Sequence, residues 1–551
     1  MGELGLQGRC GRSWLPGVLL VVVGAAFVLT DAFTGAIWFD ESFSVAMASH
    51  SFSEIWDIGA LDVHPILYYW MLHVVYLLFG QNLVAYRVLT AAGTVALAVL
   101  GVTAVRKDYG RAAGFTFALL AFILPHAASM AVQLRMYSWA SFAVGCCLVF
   151  ALRICRSARA GKRVRPWHWL VFAASSLAAA YLHYFGAMAA FIINLLLLCC
   201  LVRRAKKAPR QLLAFVVSTI AQLALYAPWL LKLMGQLSAV SSSYWIQLTS
   251  ARLAQMLVYP LVTTQMLDAV RGLYGPVARV ITLFACGLAA LLLLGLLALF
   301  IRFCREVVRN RRMHSATNSS PTTFDAGAVG WGVAVYAGTV GIAVTASLAM
   351  GSLIAVARYF YVALPALLLA IAIATSALLT RRITAVALAC VVLVGLCNQA
   401  LLLVSGYNPA NQAPIDELDR VWAEGAPMDG DATADRPLVL SSNTLAAGTL
   451  AITNPDIPQV FIADGSGQSP AFEAVYAPTL TFVSSADTAL KDYHGRFIVL
   501  DEDNAEENDV YAVVSLAGDL AAREDIEVVS SRTFYRPYER NNYTISVLEA
   551  L

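Results

Sequence analysis

The residues able to do chemistry stand out because the chain around them is so apolar. Of 551 residues, 13% are charged and 59% hydrophobic, against ~25% charged in a soluble domain. Two adjacent carboxylates, Asp40 and Glu41, lie in the stretch Trp-Phe-Asp-Glu-Ser. Five acids, Asp40, Glu41, Glu54, Asp57 and Asp62, fall within 23 residues, and the segment from Gly35 to Asn82 holds no Lys or Arg. Like charges side by side raise the pKa of at least one partner, which suits a general base. Taken alone, the pair is explained equally well by a solvated loop that avoids Lys and Arg. A second feature is Asp62-Val63-His64-Pro65. Pro65 fits a first helical turn, where its missing N–H is harmless. Asp62 either caps that helix or holds a proton-transfer partner such as His64.

Isolated polar residues at the ends of later apolar runs make a third feature. Arg135 lies in Gln-Leu-Arg-Met-Tyr, with Tyr137 beside it. His183 and Tyr184 lie in Tyr-Leu-His-Tyr-Phe, and Arg358 heads Arg-Tyr-Phe-Tyr, followed by Tyr359. Ionisable groups in a membrane domain are costly, so each is a functional candidate. A lone arginine can meet an anion such as a lipid phosphate, or simply snorkel to headgroups. Together the groups suit one reaction. The cations hold a lipid phosphate as leaving group, which departs as a stable anion without an acid catalyst. A carboxylate on the opposite face of the sugar takes the acceptor's proton, the logic of inverting glycosyl transfer.

These residues need a scaffold that puts them on one side of a bilayer. A membrane span takes about 20 mainly apolar residues. About eleven segments qualify: roughly 14–34, 84–105, 112–131, 137–155, 167–182, 184–202, 211–231, 277–301, 328–349, 359–379 and 383–404. With the N-terminus cytoplasmic, the basic clusters (Arg106 to Arg111, Arg153 to Arg165, Arg203 to Arg210, Arg302 to Arg312, and Arg381 with Arg382) all fall inside, as the positive-inside rule requires. Arg9 and Arg12 precede the first run, which is read as a retained helix rather than a cleaved signal. Residues 65–80 are apolar but short, and counting them as a span would turn four basic clusters outward. They are expected to lie along the outer interface, with Tyr68 among the residues lining the site.

The chain changes character near residue 404. Residues 1–404 hold 30 Lys+Arg against 11 Asp+Glu, net +19; residues 405–551 hold 8 against 24, net −16. The expected organisation is a membrane domain over 1–404, its first outer loop (35–83) carrying the active site, and a soluble extracytoplasmic α/β domain over 405–551. In that domain a helix is expected over Asp416–Glu424. Strands are expected at Pro437–Leu440, Gln459–Ile462, Leu480–Val483, Arg496–Leu500, Ile526–Val529 and Tyr543–Leu548. The acidic run Asp501–Asp509 lacks EF-hand spacing and is read as a solvated loop. None of the ten cysteines lies beyond Cys397, so the tail folds without disulfides. The pairs Cys146/Cys147 and Cys199/Cys200 read as small core residues.

The ordered set Phe-Asp-Glu-Ser, Asp-Val-His-Pro with Leu-Tyr-Tyr, Arg-Met-Tyr, His-Tyr-Phe and Arg-Tyr resembles the GT-C superfamily over roughly residues 14–405. It is most similar to the branch of protein O-mannosyltransferases and aminoarabinose lipid A transferases. The resemblance implies a GT-C membrane fold of about 11 transmembrane helices, a polyprenyl-phosphate sugar donor and an inverting reaction. It implies Asp40 as catalytic base and Glu41 orienting base or acceptor. Asp62 and His64 would line the site, and Arg135 and Arg358 would bind phosphate. Two positions depart from the family pattern: Ile66 follows His-Pro where many relatives have a second proline, and Gln133 stands where many have an acid. The second change removes a carboxylate and points away from a required metal or cofactor; a divalent metal stays open. The expected partners are the membrane, the donor lipid and an acceptor glycan, lipid or protein, with no nucleic acid. The alternatives are a transporter or flippase of a lipid-linked sugar, and a non-catalytic scaffold. A transporter places charges near the midplane and shows repeats, neither of which is evident, and a scaffold leaves the Asp-Glu pair unexplained.

Overall fold

A computed structural model describes residues 14–243, 249–250, 255–256, 258–316, 325–350, 354–425, 436–463, 469–491, 493–504 and 515–551. Arg9, Arg12 and the acids Glu506, Glu507 and Asp509 lie outside the described residues. Each of the eleven apolar runs is helical. Among the described residues nine helices are long and apolar enough to cross a membrane. A tenth span is the bent pair Arg111–Ile123 and Pro125–Val132, kinked by 66°. The kink falls where Pro125 removes a backbone donor and holds Leu124 extended. The eleventh run, Pro166–Leu182, is a helix of 17 residues, at the short limit for crossing hydrocarbon. The apolar run after His64 becomes a separate helix, Leu67–Phe79, of 13 residues, or about 20 Å at the α-helical rise, too short to span.

The chain divides into two compact units, and the division cuts across the expected boundary. One unit holds Met1–Ala32 with Arg87–Leu401; the other holds Phe33–Tyr86 with Leu402–Leu551. The tail begins at Leu402, close to the charge switch. However, the loop carrying Asp40 belongs to the same unit as the tail. The reason is apolar surface on short helices: Phe39 stacks on Phe472 and Tyr476 at centroid distances of 6.3 and 6.4 Å, and Ala36 joins the core formed by Leu418, Val439 and Ile498.

In the span unit, small residues let helices approach. A Cβ on Gly186 would collide with the Ala179 carbonyl, and one on Gly395 with the Ile123 carbonyl. The cysteine expectation needs correction. Cys200 is bonded to Cys155, with Cα atoms 6.3 Å apart, tying helix Tyr137–Arg159 to helix Tyr184–Val202. Cys199 is exposed, while Cys146 and Cys147 are buried as expected.

The tail is an α/β layer around a six-stranded sheet: β1 (Leu438–Ser441), β2 (Gln459–Ile462), β3 (Leu480–Val483), β4 (Gly495–Asn504), β5 (Ile526–Arg536) and β6 (Asn541–Ala550). The order is β3-β2-β1-β4-β6-β5. The first four strands pair in parallel and the last two antiparallel. Alternation sends Ile498 and Leu500 to one face and Phe497 and Val499 to the other, so the central strand β4 is covered on both sides. The opening helix runs Tyr407–Glu424, longer at its start than expected. The acidic run is also corrected. Asp501 is buried, taking the Leu516 and Ala517 N–H groups at 2.9 and 3.0 Å to start helix Leu516–Ala521. Glu502 lies inside strand β4.

Candidate active site

The carboxylate half of the predicted site lies in the loop–tail unit. Asp40 and Glu41 occupy the first turn of helix Phe39–Ala48, where negative charge is favoured by the unsatisfied N–H groups. Glu41 is buried and folds back to accept the Trp38 N–H at 3.3 Å. Asp40 is half-buried. The same helix is fixed by Ser42, whose hydroxyl meets the Tyr476 hydroxyl at 2.7 Å, and by His50 on the Val475 carbonyl at 2.9 Å.

The Asp-x-His motif forms a unit of its own. Asp62 sits 3.2 Å from His64 Nδ1 and accepts the Tyr69 hydroxyl at 3.4 Å. A carboxylate partner places the proton on Nδ1, which turns Nε2 into the acceptor. Tyr69 in turn packs edge-on against Phe43 of the Asp40 helix at 6.3 Å. Pro65 does not open the following helix, whose cap is Ile66 and first residue Leu67. Of the two roles expected for Asp62, holding His64 is the one seen. Tyr68 is fully buried against Tyr69.

The cationic half lies in the span unit. Arg135, nearly fully buried, follows helix Pro125–Val132 and precedes helix Tyr137–Arg159. Arg358 and Tyr359 stand on a 3-10 turn, Ala357–Ala363. These segments, far apart in sequence, meet through rings. His183 lies 5.6 Å from Tyr137 and 5.0 Å from Tyr359, Tyr137 lies 6.3 Å from Tyr359, and the Arg358 guanidinium lies 5.6 Å from the Tyr359 ring centre. His183 is also the cap of the next helix: its Nδ1 accepts the Phe185 N–H at 3.0 Å. That bond puts the neutral ring's proton on Nε2, so the ring's other edge is a donor suited to an anionic oxygen. Tyr184 accepts the Trp229 indole N–H at 3.3 Å. The span unit therefore gathers Tyr137, His183, Arg358 and Tyr359 in one aromatic cluster, with Arg135 two residues before Tyr137 in the chain.

Several further buried polar residues were not singled out from the sequence. Tyr259 stacks on His126 at 3.9 Å and lies within electrostatic reach of Tyr137 and Arg358. Arg87 is buried and donates to the Ala32 carbonyl at 3.3 Å, near Asp31; an arginine inside an apolar run was the available clue. In the tail, Glu539 accepts the Phe39 N–H at 3.0 Å and pairs with Arg536 at 3.4 Å. Burial pushes the Glu539 carboxyl above its usual range. Among the described residues no group of three or more His, Cys, Asp or Glu is arranged to hold a metal.

This architecture is the GT-C fold: a multi-pass helical membrane domain with an α/β domain appended. It matches the crystal structure of ArnT from Cupriavidus metallidurans bound to undecaprenyl phosphate over 97% of this chain and 98% of that one, with a TM-score of 0.53 and 13% identity. The apo structure of the same protein aligns over the same shares, with a TM-score of 0.46 and 15% identity. No protein-family model matches the sequence, and no curated protein matches it.

Proposed function

We propose that this protein transfers a sugar from a polyprenyl-phosphate donor to an extracytoplasmic acceptor, with inversion, at the outer face of the membrane. The likeness along nearly the whole chain to a protein crystallised with undecaprenyl phosphate carries the reading. The two clusters support it chemically and divide the labour. Arg135, Arg358 and the Nε2–H of His183 stabilise the phosphate as it leaves, with Tyr137, Tyr184 and Tyr359 shaping their surroundings. Asp40 takes the acceptor's proton as the new bond forms. Glu41, committed to the helix start, holds Asp40 in place. His64, oriented by Asp62, receives or relays a proton beside it, with Tyr68 in the wall behind. The charge asymmetry of the loops puts the tail domain outside.

The test is Asp40→Asn in purified full-length protein, assayed with undecaprenyl-phosphate mannose and undecaprenyl-phosphate aminoarabinose. With the donor that the unaltered protein uses, transfer is expected to fall by at least ~100-fold, the lower scale of general-base effects, with thermal unfolding unchanged. Undiminished turnover removes Asp40 from the mechanism. Movement of intact donor across a vesicle membrane without sugar transfer replaces the enzyme with a flippase.

A further inference from the structure

We infer that Arg536, the last residue of β5, and Glu539, in the turn that follows, are positioning residues for Asp40, which makes the tail domain a working part of the transfer site. The inference rests on the reading of Asp40 as base. Its evidence is a grip on the two peptide groups that flank Trp38. Glu539 Oε1 accepts the N–H of Phe39 at 3.0 Å, and Arg536 Nη2 donates to the carbonyl of Ile37 at 2.6 Å. Phe39 is the first residue of the helix and Asp40 the second. The turn therefore satisfies an N–H at the helix start that has no partner within the helix, and it fixes the direction in which the helix sets out. The grip spans 500 residues of sequence.

The two side chains are unusually sequestered for charged groups in a turn, 0% and 3% exposed. The Arg536 guanidinium also lies 4.9 Å from the Tyr543 ring centre. A buried ion pair is a poor source of stability, because apolar residues of the same volume often serve as well. What it supplies here is direction: both charges end on the backbone that presents Asp40. The turn itself is held tightly. Arg540 adopts φ of 61°, which a non-glycine residue rarely takes, and its N–H returns to the Arg536 carbonyl at 2.8 Å. Further contacts hold the helix in place: Phe39 stacks on Phe472 and Tyr476, and Ser42 bonds the Tyr476 hydroxyl.

The experiment compares Glu539→Ala, Glu539→Gln, Arg536→Met and Arg536→Lys with Asp40→Asn, all in the full-length protein. Transfer is followed with the undecaprenyl-phosphate sugar that the unaltered protein uses, and affinity with undecaprenyl phosphate alone. Glu539→Ala and Arg536→Met are expected to lower kcat on the order of 10²-fold, the scale of a misplacement of about 1 Å, with donor KM and undecaprenyl phosphate affinity unchanged. Glu539→Gln keeps an acceptor for Phe39 and Arg536→Lys keeps a donor for Ile37, so both are expected to recover most of the rate. If Asp40→Asn is inactive while Glu539→Ala keeps its kcat, the inference falls and the proposed function stands. If Asp40→Asn keeps its full rate, Asp40 is not the base and the inference falls with that assignment, while sugar transfer itself stands. Equal losses in the conservative and drastic variants, accompanied by lost undecaprenyl phosphate affinity, mean general unfolding and also overturn the inference.

Discussion

A carboxyl group kept from water holds its proton longer, and Glu502 in strand β4 shows the effect outside the membrane spans. Burial pushes it up to about 7, with the nearby charges of Glu539 and Asp501 adding and the Ala446 N–H at 2.8 Å opposing. Its folded pKa thus exceeds the unfolded value near 4.5. Its contribution is fully present below that value, where both states are protonated, and is lost as pH rises toward 7. Glu502→Gln keeps an acceptor oxygen without the charge. Its unfolding temperature is expected to exceed that of the unaltered protein by more at pH 8 than at pH 5, as measured by thermal unfolding of full-length protein in detergent. An equal gap at both pH values rules out Glu502 as the source. Arg135 tests the other end of the reaction. Arg135→Ala is expected to raise donor KM while leaving acceptor KM in place, and an unchanged donor KM removes it from phosphate binding. Residues of this second kind were legible in the sequence because charge is scarce in the first 404 positions, so each instance carries weight. Glu502, Arg536 and Glu539 were not. The tail is rich in acids, and nothing in a turn reading Arg-Pro-Tyr-Glu-Arg distinguishes a buried pair from a solvated one.

Helices and strands were read well where hydrophobic period decides them, as for Gln459–Ile462 and Leu480–Val483, which match residue for residue. The misses have physical causes. Helix Tyr407–Glu424 passes through Pro414, which a sequence reader takes as a stop. Strand β4 continues through Asp501, Glu502 and Asp503 because β6 pairs with it along its whole length, and an acidic run hides that pairing. The element that matters most for the site is helix Thr444–Thr453, which meets the Asp40 helix at a glycine. A Cβ on Gly448 would stand 2.9 Å from both the Phe39 and Tyr476 rings. Gly448→Val is expected to cost about 1–3 kcal/mol of stability, the usual penalty of overpacking, and to lower transfer more than undecaprenyl phosphate binding. Equal transfer by the variant shows that this helix contact does not reach Asp40. A matching contact exists in the span unit, where Gly186 follows His183 and Tyr184 by a few residues and abuts Ala179.

For the molecule as a whole, the sequence disclosed the many-spanning helical fold and an α/β region rich in acids near the end of the chain. It did not disclose that the Asp40 loop packs with the tail, because the contacts that join them are ordinary apolar ones such as Phe39 on Phe472. Two outcomes follow at this scale. An alkaline phosphatase fused after Leu551 is expected to be active and one inserted near Lys206 inactive, as the loop charges dictate; the reverse pattern inverts the topology. A chain ending at Val404 is expected to retain undecaprenyl phosphate binding through the span unit and to lose transfer altogether. Transfer by that truncated chain contradicts a role for the tail.

A unit assembled from residues 33–86 and 402–551 also sets a timetable for biosynthesis. At ~5–20 residues per second, the ribosome needs on the order of tens of seconds to travel from the first of these segments to the second. Throughout that interval Phe39 and Phe43 lack the tail rings Phe472 and Tyr476 that cover them. The newborn chain needs shielding by a chaperone or by the lipid surface itself, and depleting such help should leave the spans inserted correctly and the 33–86 segment protease-sensitive.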